Sequence, residues 1–136
     1  MIFFMVIFSY FIVSRLMLTF KNGSFEHVNK LYMALIMGSL MGVINEIIML
    51  YNNYTHSTLG LIVWISVSIG LILMLRKQVF VSDNEYLKSM IEHHDSAVFM
   101  SEEILRKSND VELKDFAQQI IDTQQKEIEY MRSKLE

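Results

Sequence analysis

Long apolar runs occupy the first part of the chain, and amphipathic runs occupy the last part. Residues 2–20, 28–51 and 59–75 contain very few charged side chains. Each run approaches the roughly 20 residues that an α-helix needs to cross about 30 Å of hydrocarbon. After Arg76 the apolar residues recur every three or four positions, which is the period of a helix with one buried face. The pattern predicts three transmembrane helices followed by a helical domain outside the membrane.

Two amphipathic helices are predicted in the polar part of the chain. Ser82 and Glu85 have the S-x-x-E spacing of a capping box, which starts a helix that we expect to end just before the polar turn at 108–110. A second periodic run follows this turn and continues to the end of the chain. We therefore expect an all-α protein with a membrane domain over residues 1–78 and an antiparallel helical hairpin over residues 82–136.

Composition excludes several classes of function. The chain contains no Cys, which excludes disulfides, Cys-type zinc sites and thiol nucleophiles. A formal net charge of -3 without a basic cluster in the polar part argues against nucleic acid as a partner. A nucleophile paired with a base, a phosphate-binding loop and an H-E-x-x-H motif are all missing from the sequence, so we do not expect an enzyme.

The apolar runs also contain small and polar residues with possible roles. Ala34, Gly38 and Gly42 form a small-xxx-small row, which lets helix backbones approach closely, and we favour packing within one chain over a dedicated dimer face. Glu46 lies inside the second run, where snorkelling to the interface is the favoured interpretation. A proton or ion pathway through Glu46 and Asn45 is the alternative, and it would make the chain a small transporter or sensor subunit.

Polar side chains lie at the centre of both apolar faces of the predicted hairpin. His94 occupies the middle of the first face, and Gln124 occupies the middle of the second, with Glu127 and Met131 beside it. An antiparallel hairpin brings these residues and Met90 into one layer. One interpretation is a buried hydrogen-bond cluster that fixes the register, with His94 bonded to Gln124 or Glu127. The other is a metal site, because imidazole and thioether ligands together suit a soft ion such as Cu(I).

Two separated motifs carry a resemblance to a known family. The spacing M-x-x-H-H-x-x-A over 90–97 and the spacing I-I-x-x-Q-x-x-E-I-x-x-M over 120–131 resemble domain of unknown function family 305. The resemblance implies a ferritin-like helical fold, and the family includes copper-binding members. The apolar part resembles its membrane-anchored branch, in which three spans precede one hairpin. Carried over to this chain, the family's ligand positions are Met90, His93, His94 and Met131, with Gln124 and Glu127 beside them.

The expected function is therefore that of a membrane-anchored protein that binds, stores or confers tolerance to copper through a Met/His site. The alternative is a structural or interaction protein whose hairpin is an oligomerisation module with a buried His-Gln-Glu cluster. In either case we expect the lipid bilayer as one partner. The other partner is a second copy, in a dimer or higher even oligomer that completes a four-helix bundle.

The expected location is an integral position in a bacterial cytoplasmic membrane. Soluble members of the resembling family are exported, which implies that the hairpin faces away from the cytoplasm. The positive-inside rule, applied to the basic residues near the spans, gives the opposite orientation for the first loop and the hairpin. These basic residues are Arg15, Lys21, Lys30, Arg76 and Lys77.

Overall fold

The computed structural model describes residues 2–16, 18–19, 24–52, 54 and 57–135, and helices are the only regular structure within these ranges. The elements are α1 (Ile2–Phe11), a 3₁₀ turn (Val13–Arg15), α2 (Val28–Tyr51), α3 (Thr58–Arg76), α4 (Asp83–Lys107) and α5 (Val111–Leu135). The expected all-α class is confirmed. Phe20, at the predicted end of the first span, and Lys21, in the first loop, lie outside the described residues.

Two helices, α2 and α3, are long and apolar enough to cross a membrane. The prediction of three spans is wrong at its first span, because the apolar helical segment there covers only Phe3–Arg15. The ten residues of α1 extend for about 15 Å, half of a bilayer's hydrocarbon core. The chain leaves the helix early to make tertiary contacts: Leu18 is buried, and the backbone N–H of Thr19 bonds to a carboxylate of α4. Hydropathy alone does not reveal those contacts.

The chain forms two compact units, each built from two segments. The first unit contains Met1–Ser14 and Val28–Phe80, and the second contains Arg15–His27 and Val81–Glu136. The passage from one unit to the other near residue 80 lies where the sequence predicts the end of the membrane domain. The inclusion of Arg15–His27, the loop after α1, in the same unit as the hairpin was not expected.

Helices α2 and α3 pack closely because α2 presents small side chains. An added Cβ at Gly42 would lie 2.5 Å from Cδ2 of Trp64, so the indole ring occupies the space that the glycine leaves open. The hydroxyl of Ser68 donates to the hydroxyl of Ser39 across the two helices at 2.9 Å. The expected use of the small row for packing within the chain is thus observed at Gly42. On α3, no described atom beyond the neighbouring residues and the backbone of the helix itself lies within 4 Å of the position that a Cβ of Gly70 would take.

Glu46 binds the N-terminal end of α3. Its Oε2 accepts a hydrogen bond from the backbone N–H of Ser57 at 3.1 Å, and the Ser57 hydroxyl accepts one from the N–H of Gly60 at 2.9 Å. A helix N-terminus carries unsatisfied N–H groups and a partial positive charge, both of which favour a carboxylate. The contact gives Glu46 a structural role in joining the two apolar helices.

The hairpin follows from local capping signals and one apolar cluster. The Ser82 hydroxyl accepts from the N–H of Glu85 at the start of α4, and Asp110 accepts from the N–H of Leu113 at the start of α5. Helices α4 and α5 then pack along each other. The buried core of this unit is formed by Ile91, Val98, Ile128 and Met131.

Candidate functional site

His94 and Glu127 meet between the two helices of the hairpin. The Nε2 atom of His94 lies 2.8 Å from Oε2 of Glu127, and Nδ1 lies 2.7 Å from the backbone carbonyl of Met90 one turn earlier. The amide of Gln124 donates to the same Oε2 at 3.4 Å. A doubly protonated imidazole donates to both oxygens. A neutral imidazole with its proton on Nδ1 donates to the carbonyl and directs the lone pair of Nε2 toward Glu127.

Two thioethers flank this pair on the side away from the bend. Met90 precedes His94 by four residues on α4, and Met131 follows Glu127 by four residues on α5. Because the helices run in opposite directions, both methionines lie one turn farther from the bend than the His94–Glu127 pair. Met131 is part of the buried apolar cluster, and Met90 packs against it. The layer therefore has a polar half and a sulfur-containing apolar half.

His93 is exposed and lies at the rim of this layer. Its ring centroid is 5.9 Å from that of His94, with the two rings inclined at 68°. Neighbouring residues on a helix are about 100° apart, so one imidazole points between the helices while the other stays at the surface. The structure thus joins His94 and Glu127 directly, places Met90 and Met131 beside them, and leaves His93 free to approach from outside.

The side chains of this layer that could bind a metal ion are of different chemical types. Among the described residues, no three side chains of the types His, Cys, Asp and Glu come together as a group that could hold a metal ion. One imidazole, one carboxylate and two thioethers are instead what a single hairpin offers. Such a set suits a soft ion, for which thioethers are good ligands, better than a hard ion that requires several oxygens.

A pair of buried carboxylates on α4 was missed by sequence reasoning. Asp95 is fully buried and accepts hydrogen bonds from both the backbone N–H, at 2.8 Å, and the hydroxyl of Thr19. Glu92 is 8 % exposed, and its Oε1 accepts from the Ser24 hydroxyl at 2.9 Å and from the backbone N–H of Phe25 at 2.6 Å. These bonds hold Thr19, Ser24 and Phe25, in the loop Arg15–His27, against α4.

His27 completes this attachment. Its Nε2 lies 3.1 Å from Oε2 of Glu92, and both side chains are almost fully buried. The partners are 65 or more residues apart in sequence, so no local spacing identifies them. The sequence gives one indication of this attachment. Glu92 and Asp95 are three residues apart, on either side of the His-His motif, and the helical period places both carboxylates outside the apolar face. Helix α4 thus binds α5 with one face and the first loop with another.

Two comparisons with known proteins found a similarity. The family model described as "Domain of unknown function (DUF305)" matches residues 74–135. The chain is also similar to the uncharacterised protein L153 of Acanthamoeba polyphaga mimivirus, with 37 % identity over 110 residues that cover 81 % of this chain and 72 % of that protein. No solved structure matches the chain.

Proposed function

The chain belongs to the family named Domain of unknown function (DUF305), and from that premise we propose that it is a membrane-anchored metal-binding protein with copper as its ion. The observation that carries the proposal is the His94–Glu127 pair, which brings Nε2 and Oε2 to 2.8 Å from opposite helices. No other pair of an imidazole and a carboxylate joins α4 to α5 among the contacts of the described residues. The role is binding, storage or tolerance.

The orientation of His94 supports this proposal. A metal-binding histidine usually donates its second ring N–H to a carbonyl or carboxylate, which fixes the tautomer and directs the other nitrogen at the ion. The Met90 carbonyl provides that acceptor at 2.7 Å from Nδ1. His94 and Glu127 would hold the ion, His93 would approach from the rim, and Met90 and Met131 would supply thioethers. A bound copper ion would add a redox-active centre to the hairpin.

A single hairpin offers few converging ligands, so a second copy is part of the proposal. The apolar faces of α4 and α5 leave a groove of about 250 Å³ near the bend, and its lining residues include the exposed side chains of Phe116 and Met100. Pairing two hairpins would cover these faces as a four-helix bundle. This groove is also the observation that favours the second candidate function, an oligomerisation module in which His94 and Glu127 only fix the register.

The two apolar helices α2 and α3 would anchor the hairpin in the membrane. Scarcely any of α3 is buried within the protein, as expected of a helix whose apolar side chains meet lipid. We place the hairpin on the side away from the cytoplasm, on the resemblance to exported family members. The loop Arg15–His27 belongs to the same unit as the hairpin, so Arg15 would lie on the hairpin's side of the membrane. The positive-inside rule would put Arg15, and with it the hairpin, in the cytoplasm, which is the alternative to this placement. Activity of a cytoplasm-only reporter fused after Leu135 would overturn the outward placement.

Elemental analysis of the purified full-length protein tests the metal proposal. We expect copper to co-purify with the wild type and its content to fall in the His93→Ala/His94→Ala variant, because the imidazoles supply the nitrogen ligands of the hairpin site. Gln118→Ala/Gln119→Ala is the matched control, since these two neighbouring side chains are exposed on α5 away from the site. Equal copper content in all three proteins would contradict the proposal and leave the register-fixing interpretation.

A further inference from the structure

A groove between α1 and α2 in the membrane unit is lined mainly by methionine. It has a volume of about 300 Å³, and four of its seven lining side chains are Met5, Met33, Met37 and Met41. The other three are the aliphatic side chains of Ile36, Leu40 and Ile44. None of these lining residues is charged. The four methionines come from two helices, so the groove brings together side chains of both rather than a stripe on one helix.

Three of the four methionines are evenly spaced along α2. Met33, Met37 and Met41 follow one another at four-residue intervals, which places them on one face with a rise of about 6 Å between neighbours. The row spans about 12 Å along the helix, and Met5 of α1 lines the same groove. Methionine side chains are unbranched and have three rotatable bonds. Two or three of these thioethers can therefore turn toward one point in the groove.

Packing alone does not account for this choice of residues. Leucine has nearly the same volume and usually replaces methionine with little cost in a packed interior. Met33 and Met37 are 61 % and 40 % exposed, so their side chains do not fill a closed core. The groove also has no amine or carboxylate among its described lining residues, so a hard ion such as Ca²⁺ or Mg²⁺ would find no ligand to replace its water.

We propose that this groove binds a monovalent soft metal ion, Cu(I), through the thioethers of Met33, Met37, Met41 and Met5. Thioether ligands select Cu(I), and a singly charged ion is less costly than a divalent one in apolar surroundings. Thioethers do not protonate, so binding is independent of pH across the range in which imidazole titrates. The site lies in the membrane unit and does not depend on the hairpin residues His94 and Glu127.

The test uses the full-length protein in detergent micelles, in a His93→Ala/His94→Ala background that removes the hairpin imidazoles. Cu(I) is titrated against a coloured Cu(I) chelator. The background protein should bind Cu(I), and adding Met33→Leu/Met37→Leu/Met41→Leu should remove about one equivalent of it. Met49→Leu/Met74→Leu is the matched control, because these two methionines lie on α2 and α3 but do not line the groove. The control should bind as the background does.

The outcomes separate this site from the hairpin site. If the background protein binds no Cu(I), or if the three groove substitutions change its titration no more than the control does, the groove proposal is overturned. If the groove substitutions remove copper while the two histidine substitutions remove none, the groove proposal stands and the hairpin proposal fails. Circular dichroism on each variant shows that the helices remain, so a lost equivalent reports lost ligands.

Discussion

Asp95 shows how one buried side chain holds a loop to a helix. Its carboxylate is fully buried on α4 and takes both the backbone N–H and the hydroxyl of Thr19. Burying a charge is costly unless hydrogen bonds replace the lost water, and here two donors of the loop Arg15–His27 provide them. The loop and the helix therefore depend on each other for the satisfaction of their polar groups.

We predict that Asp95→Ala destabilises the protein by about 2 kcal/mol, because it removes a charged acceptor and leaves the N–H of Thr19 without that partner. Thermal unfolding in detergent, followed by circular dichroism, measures the change. Asp115→Ala is the matched control, since this aspartate is exposed on α5, and its substitution should stay within about 0.5 kcal/mol of the wild type. Equal melting temperatures for Asp95→Ala and the control would refute the structural role of Asp95.

Residue types and helical period predicted much of the hairpin site. They placed His94 between the helices and named Glu127 as one of two possible partners, and the 2.8 Å contact settles the partner. Gln124, the other possible partner of His94, instead donates to the same carboxylate at 3.4 Å. The sequence could not decide between the two partners, because the relative shift of two packed helices depends on how their side chains fit together, and residue spacing does not reveal that fit.

At the level of helices, close packing of α2 on α3 depends on Gly42. A Cβ there would lie 2.5 Å from Trp64, closer than packed carbon atoms approach. We predict that Gly42→Ala destabilises the α2–α3 pair by about 1–3 kcal/mol, because the indole ring or the backbone must move. Denaturant or thermal unfolding of the membrane unit in detergent measures it.

Gly70→Ala provides the control within the same pair of helices. No described atom beyond the neighbouring residues and the helix's own backbone lies within 4 Å of the added Cβ, and alanine is the better helix former by about 1 kcal/mol, so this variant should be unchanged or slightly more stable. Destabilisation of equal size in both variants would show that the glycines matter for some reason other than the Trp64 contact.

Local signals predicted the elements of the hairpin better than those of the membrane unit. The capping residues Ser82 and Asp110 mark the starts of α4 and α5, because a cap is a contact between near neighbours in sequence. The end of α1 at Phe11 was missed, since the residues that follow remain apolar. Leu18 there is buried, and Thr19 bonds to Asp95 of α4, a residue far along the chain.

At the scale of the whole molecule, the groove near the bend is the surface where we expect the proposed second copy to bind. The groove near the bend is almost entirely apolar, and Phe116 stands 59 % exposed at its edge. We predict that the protein is a dimer or higher even oligomer in detergent, and that Phe116→Lys weakens association by about 2 kcal/mol, as expected for an aromatic anchor. Light scattering over a micromolar concentration series measures the state.

Thr123→Lys adds the same charge at an exposed position of α5 outside the groove, and it should leave the oligomer intact. A wild-type protein that is strictly monomeric at micromolar concentration would contradict the proposed assembly. An oligomer that persists unchanged in Phe116→Lys would show that the chains associate through a different surface.

The most direct test of the proposed metal site in the hairpin is a pair of titrations, with Cu(I) and with Zn²⁺, at neutral and acidic pH. The Met33→Leu/Met37→Leu/Met41→Leu background leaves only the hairpin site to be measured. At neutral pH, His94→Ala should weaken binding of both ions by at least about tenfold. Metal ions bind the neutral form of an imidazole, so Zn²⁺ affinity should fall in acid while the thioethers of Met90 and Met131 retain part of the Cu(I) affinity. Indistinguishable titrations of the background protein and its His94→Ala variant at neutral pH would contradict the account, and His94 would then be a structural histidine bonded to Glu127.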